Sequence, residues 1–134
     1  MNIVYPMGML AIFTMLYSLV MLKSRIRALK QKDVRGGYFK TYNSETPPDY
    51  VQKPSRHWLN LYELPVLFYV VCITLMVLEK SDDLYVQMAY AFVGIRLIHA
   101  VIHTTYNKIT HRFFAFFAGM AVLAAMWFRL LYSL

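Results

Sequence analysis

The chain has 134 residues, 59% of them hydrophobic and only 16% charged, against roughly a quarter charged in soluble domains, which excludes an ordinary soluble globular domain. Its net charge of +7 comes with no nucleic-acid recognition motif, so lipid headgroups and anionic small molecules are the partners that charge implies. The lone cysteine, Cys72, lies in an apolar stretch, and no intrachain disulfide can form.

The first apolar block runs from about Ile3 to Leu22, and its basic residues Lys23, Arg25 and Arg27 follow it, the reverse of a cleaved signal peptide. Residues 23–56 form the one long connection, rich in Lys and Arg. Gly36-Gly37 and the stretch from Ser44 to Pro54, with Pro47-Pro48, have turn and extended-chain composition and predict irregular structure. Three further apolar blocks follow at 58–78, 84–106 and 113–132. Each is about twenty residues, enough to cross a hydrocarbon core as a helix. The expected fold is therefore all-α, an integral membrane four-helix bundle forming one domain over residues 1–134. By the positive-inside rule the long basic connection is cytoplasmic and both termini face away from the cytoplasm.

Polar residues interrupt these blocks in a pattern. On the second span Arg56, Asn60 and Glu63 are spaced i, i+4, i+7 and share one face of a continuous helix. On the third, Arg96, His99 and His103 form a second stripe, while Arg25 closes the first span and Arg112 opens the fourth. All lie toward the cytoplasmic half. Ionisable residues inside a span are costly, so they face the bundle and are paired. Two explanations compete: a structural ion pair of Glu63 with Arg96 or Arg56, or a site for a small anionic or zwitterionic ligand. Pro65 withholds a hydrogen bond from Leu61 and predicts a kink beside Glu63. His99 and His103 at i, i+4 could share a metal, but no further ligand completes a spacing, so none is expected. Arg129 reads as snorkelling to the far interface. Ala115, Ala118, Gly119, Ala121 and Ala125 suggest close helix approach.

The run from Arg56 to Phe68 resembles the R-x3-N-x2-E signature of the MAPEG family, membrane-associated proteins in eicosanoid and glutathione metabolism. Arg96 followed by His99, and Arg112 at the start of the last span, match that family in order, and the likeness covers about residues 3 to 132, closest to the bacterial branch. The resemblance implies a homotrimer in the bacterial inner membrane, with glutathione as co-substrate held between subunits and a lipophilic substrate supplied from the surrounding lipids. It implies that Arg25, Arg56, Asn60, Glu63, Arg96 and His99 bind the thiol ligand, and that Arg112 stabilises its thiolate. His103 stands where the family carries a tyrosine, with Tyr106 one turn further on; both are candidate catalytic residues. Phe113 replaces the serine of the prostaglandin-making relatives, and Glu63 is one position closer to the proline than in the eicosanoid enzymes. The implied activity is thiol transfer or peroxide reduction; the alternative is a non-catalytic binding or assembly protein of the same fold.

Overall fold

The computed structural model describes residues 2–42 and 46–134, and among them it holds helices and turns but no strand. Helix α1 spans Val4–Lys30, α2 Tyr38–Thr41, α3 Asp49–Asn60, α4 Leu64–Val77, α5 Asp83–Thr104 and α6 Ile109–Tyr132. Four segments are long and apolar enough to cross a membrane: α1, α3 with α4, α5 and α6. The antiparallel crossing leaves the α1–α3 connection at one end, here the loop end, and the α4–α5 turn with the C-terminus at the other.

Helix α1 opens under Asn2, whose Oδ1 accepts the Val4 amide at 3.0 Å. It ends where Lys32 turns left-handed at φ 58° and the Asp33 amide returns to the Ala28 carbonyl at 3.0 Å, a C-terminal motif that satisfies carbonyls otherwise left open. Its basic last turn, Arg27 and Lys30, complements the helix dipole. The helix therefore runs past Leu22, where the apolar block stops. At about 1.5 Å per residue its 27 residues outreach a hydrocarbon core of about 30 Å and carry the basic turn into the headgroup region.

Of the stretch from Ser44 to Pro54, residues 46–48 are irregular as expected, while the chain from Asp49 onward departs from that expectation. Ser44 and Glu45 lie outside the described residues, but Asp49 already begins α3, after Pro48 in an extended N-cap conformation and with an acidic first turn. Pro54 sits inside this helix, buried. A small cluster of Ala28, Val34 and Val51, with Tyr38, Phe39 and Tyr50 against it, fastens the connection to α1 and α3.

The main core lies among α1, α4, α5 and α6. Phe68 and Phe92 stack at 4.6 Å, with Leu10, Val71, Leu75, Val86, Ala89, Met126 and Leu130 buried around them. Gly119 on α6 brings that helix close to α5: an added Cβ would lie 3.5 Å from the Ile95 side chain and 3.9 Å from Arg96 Cδ. At the far end Asp82 caps α5, accepting the Tyr85 amide at 3.0 Å. Arg129 of α6 grips the same carboxylate with two hydrogen bonds, 2.8 and 2.5 Å, and stacks 4.1 Å over the Tyr85 ring. Lys80 donates to the Ser133 carbonyl nearby. Arg129, expected to reach toward the far interface, clasps α6 to the α4–α5 turn at that end. Its hydrogen bonds, with that of the Tyr85 amide, hold the Asp82 carboxyl down at about 2.

Candidate functional site

Sequence chemistry breaks the second span at the loop end. Proline at position 65 cannot donate to the Leu61 carbonyl, and α3 stops at Asn60, with α4 restarting at Leu64. The expected kink is thus a full interruption, and residues 61–63 leave the helix. A helix ending inside a membrane exposes carbonyls that need donors. Arg96, fully buried on α5, supplies one: its Nη2 donates to the Asn60 backbone oxygen at 2.7 Å. A guanidinium is well suited to this place because it brings several donors in a fixed fork.

The same crossing of α3, α5 and α6 leaves a cavity of about 390 Å³ lined by Asn60, His99, Ile109, Arg112, Phe113 and Phe116. Its wall mixes aromatic faces with an amide, an imidazole and a guanidinium, the composition of a small-ligand site. Arg112 is half-buried and fixed from one side by Asn107, its Nη1 donating to Oδ1 at 3.0 Å. Behind the cavity His57, His99 and His103 form a closed cluster, 0%, 2% and 1% exposed, with ring centroids 5.2 to 5.8 Å apart. Tyr17 of α1 meets His57 edge-on at 4.8 Å.

Much of this polar surface is idle. The Tyr17 hydroxyl, Arg25 Nε, both ring nitrogens of His57 and His103, His99 Nδ1, Arg96 Nε and Nη1, and Arg112 Nε are buried with no hydrogen-bond partner among the described residues. Buried polar groups are ordinarily satisfied, and most of these exceptions gather around the cavity and the histidines behind it. Among the described residues no three His, Cys, Asp or Glu side chains are arranged to hold a metal ion.

The residues singled out in the sequence divide into groups. Asn60, His99 and Arg112 meet at the cavity, with Arg96 and His103 directly behind it. Arg56 is exposed and lines a separate cavity of about 220 Å³ with Tyr38, Phe39, Tyr42 and Gln52. Arg25 donates to the Tyr42 hydroxyl at 3.0 Å and lies 5.4 Å from the Phe39 ring centroid. Glu63 is exposed, and the helix break removes it from the face of Arg56 and Asn60. Among the described residues no ion-pair contact joins Glu63 to Arg96 or Arg56, although the Glu63 carboxylate acts on Arg96 electrostatically. Tyr106 is 58% exposed and its hydroxyl meets His111 Nδ1 at 3.0 Å, away from the cavity. His57 is a site residue that the spacing of charged groups does not reveal. The signal for it is the spacing of Val51, Pro54, His57 and Leu61, a helical stripe that is buried throughout and aims an imidazole at the two histidines of α5.

The model of the MAPEG family matches residues 3–132, and the chain belongs to that family. It is an integral membrane protein by that membership and by its four apolar spans. No curated protein and no solved structure matches the chain.

Proposed function

Taking membership of the MAPEG family as the premise, we propose that this protein binds glutathione or a related thiol and uses it on lipophilic electrophiles, by conjugation or by peroxide reduction. The observation that carries this reading is the cavity at Asn60, His99 and Arg112 with its unpartnered buried donors. Those donors are suited to carboxylates and a thiolate. Arg112 stabilises the thiolate. In conjugation the sulfur lone pair forms a C–S bond and expels the leaving group; in peroxide reduction two thiols become a disulfide while the hydroperoxide becomes alcohol and water. Glu63 and Arg56, exposed on the single chain, reach the ligand from a neighbouring copy in a homotrimer, Glu63 taking the ammonium group. His103 accepts the thiol proton in place of the family tyrosine. The basic connection faces the cytoplasm of a bacterial inner membrane, with both termini outside, which puts the cavity at the cytoplasmic side.

A second reading, a binding or assembly protein without turnover, is favoured by one observation: Tyr106 points to His111 and leaves the cavity without a phenol. Turnover of a chloronitrobenzene and of a lipid hydroperoxide by the purified protein with glutathione separates the two. Thiol-dependent turnover that Arg112→Ala abolishes supports the enzyme; saturable thiol binding with no turnover supports the binding protein.

A further inference from the structure

Helix α6 carries a second hollow on the face turned away from the cavity at Arg112. At about 100° per residue, Ile109, Arg112, Phe113 and Phe116 face that cavity, whereas His111, Phe114 and Ala118 face the opposite way. With Ile95, Ile98 and Ile102 of α5, these last three line an open groove of about 380 Å³. Differences in side-chain size make it. Ile98 and Phe114 stand out, 58% and 70% exposed, while α6 offers only methyl groups at Ala115 and Ala118. Apart from the His111 ring, every lining side chain is hydrocarbon.

Both helices are long and apolar enough to span the membrane, so hydrocarbon, not water, meets this groove. From His111 to Ala118 is seven residues, about 10 Å along the helix at about 1.5 Å per residue. A volume of about 380 Å³ over that length is about 7 Å across, narrower than the ~10 Å of a second helix. The groove also lacks the polar side chains that hold membrane helices to one another. A slender chain of methylenes fits it in both width and chemistry.

The mouth of the groove is basic. His111 stands there one turn after Lys108, at the start of α6 and so at headgroup level, and the first turn of α6 holds no acidic residue. The Tyr106 hydroxyl meets His111 Nδ1 at 3.0 Å, which steadies the ring and leaves Nε2 as the nitrogen that a phosphate can meet. We propose that the α5–α6 groove is a site for an anionic phospholipid, with one acyl chain along Ile98 and Ala118 and its phosphate against Lys108 and His111. Basic residues at a span end attract anionic headgroups, and hydrogen bonds from such donors to phosphate are charge-assisted. The site lies across α6 from the cavity at Arg112 and does not depend on the thiol reading.

The test is native mass spectrometry of the full-length protein, delipidated in mild detergent and titrated with phosphatidylglycerol or with phosphatidylcholine of the same chains. The expected result is one phosphatidylglycerol per chain, bound about tenfold more tightly than phosphatidylcholine. The double variant Lys108→Gln, His111→Gln should lose that preference. Ala118→Leu, which fills the groove, should weaken both lipids by about tenfold, the share of a few methylenes. Equal affinity for the two lipids in the wild type overturns the site, as does phosphatidylglycerol binding that Ala118→Leu leaves untouched. Loss of subunit association in Ala118→Leu with lipid binding retained assigns the groove to a second copy of the chain and overturns it too. Should Ala118→Leu not fold, Ala115→Leu fills the same groove and is read in the same way.

Discussion

The two ends of this bundle treat charge in opposite ways. At the α4–α5 end Asp82, Arg129, Lys80 and Ser133 are partly exposed, yet they find one another. At the loop end Arg96, His57, His99 and His103 are all but sealed from solvent, yet most of their donors and acceptors find nothing. Among the described residues only the Tyr85 hydroxyl breaks the contrast at the far end. Tying up cheap surface charges while leaving costly buried polar groups unpaired is the arrangement that the proposed binding at the loop end accounts for. The far end is a structural clasp, and on the function proposed above the loop end is a binding region, so substitutions at each should move different observables.

Arg112→Ala should show the largest effect, a loss of roughly 100- to 1,000-fold in thiol-dependent turnover, as for removal of one preorganised charge-stabilising donor. Ligand affinity, read by calorimetry, should fall much less, because Asn60 and His99 still line the cavity. Equal loss in both would mean that Arg112 binds ligand and does not favour the thiolate. Arg96→Met sharpens the contrast from inside the loop end, since this residue is both capping donor and idle cation. It should lower stability by about 1 to 3 kcal/mol in thermal unfolding, the cost of an Asn60 carbonyl left without its donor.

Asp82→Ala tests the far end. Loss of the cap of α5 should cost about 1 kcal/mol, with glutathione binding unchanged; altered binding would break the separation of the two ends. Acid sharpens the same point. The folded Asp82 carboxyl sits at about 2, below its ordinary 3.8, so its stabilisation is complete above the ordinary value and is lost as pH falls through the folded one. Wild type and Asp82→Asn should converge in melting temperature over that interval. Tyr106→Phe should do least, at most about 0.5 kcal/mol for one exposed hydrogen bond, with turnover unaffected.

The four spans were legible because a membrane makes apolar length nearly sufficient to identify a helix, and the polar stripe of Arg96, His99 and His103 needed only helical spacing. Glu63 and Tyr106 do not lie on the helix faces that spacing assigns them, for a local reason. Spacing places residues on a face only while the helix continues, and Pro65 ends α3 before Glu63 is reached, as the turn at Thr105 ends α5 before Tyr106. The helical start at Asp49 was hidden by its prolines, which read as breakers although Pro48 serves as an extended cap. The pairing of Asp82 with Arg129 joins residues far apart in sequence, a contact that no periodicity carries.

A structure of the assembled protein determined with and without glutathione tests the binding region most directly. The expected result is ligand density in the cavity bounded by Asn60, His99 and Arg112, with ligand oxygens or sulfur within hydrogen-bond distance of the arginine and imidazole nitrogens that are idle in the single chain. If instead side chains of a neighbouring copy occupy that cavity in both structures and satisfy the same nitrogens, the buried charges belong to assembly alone, and the loop end is a second clasp.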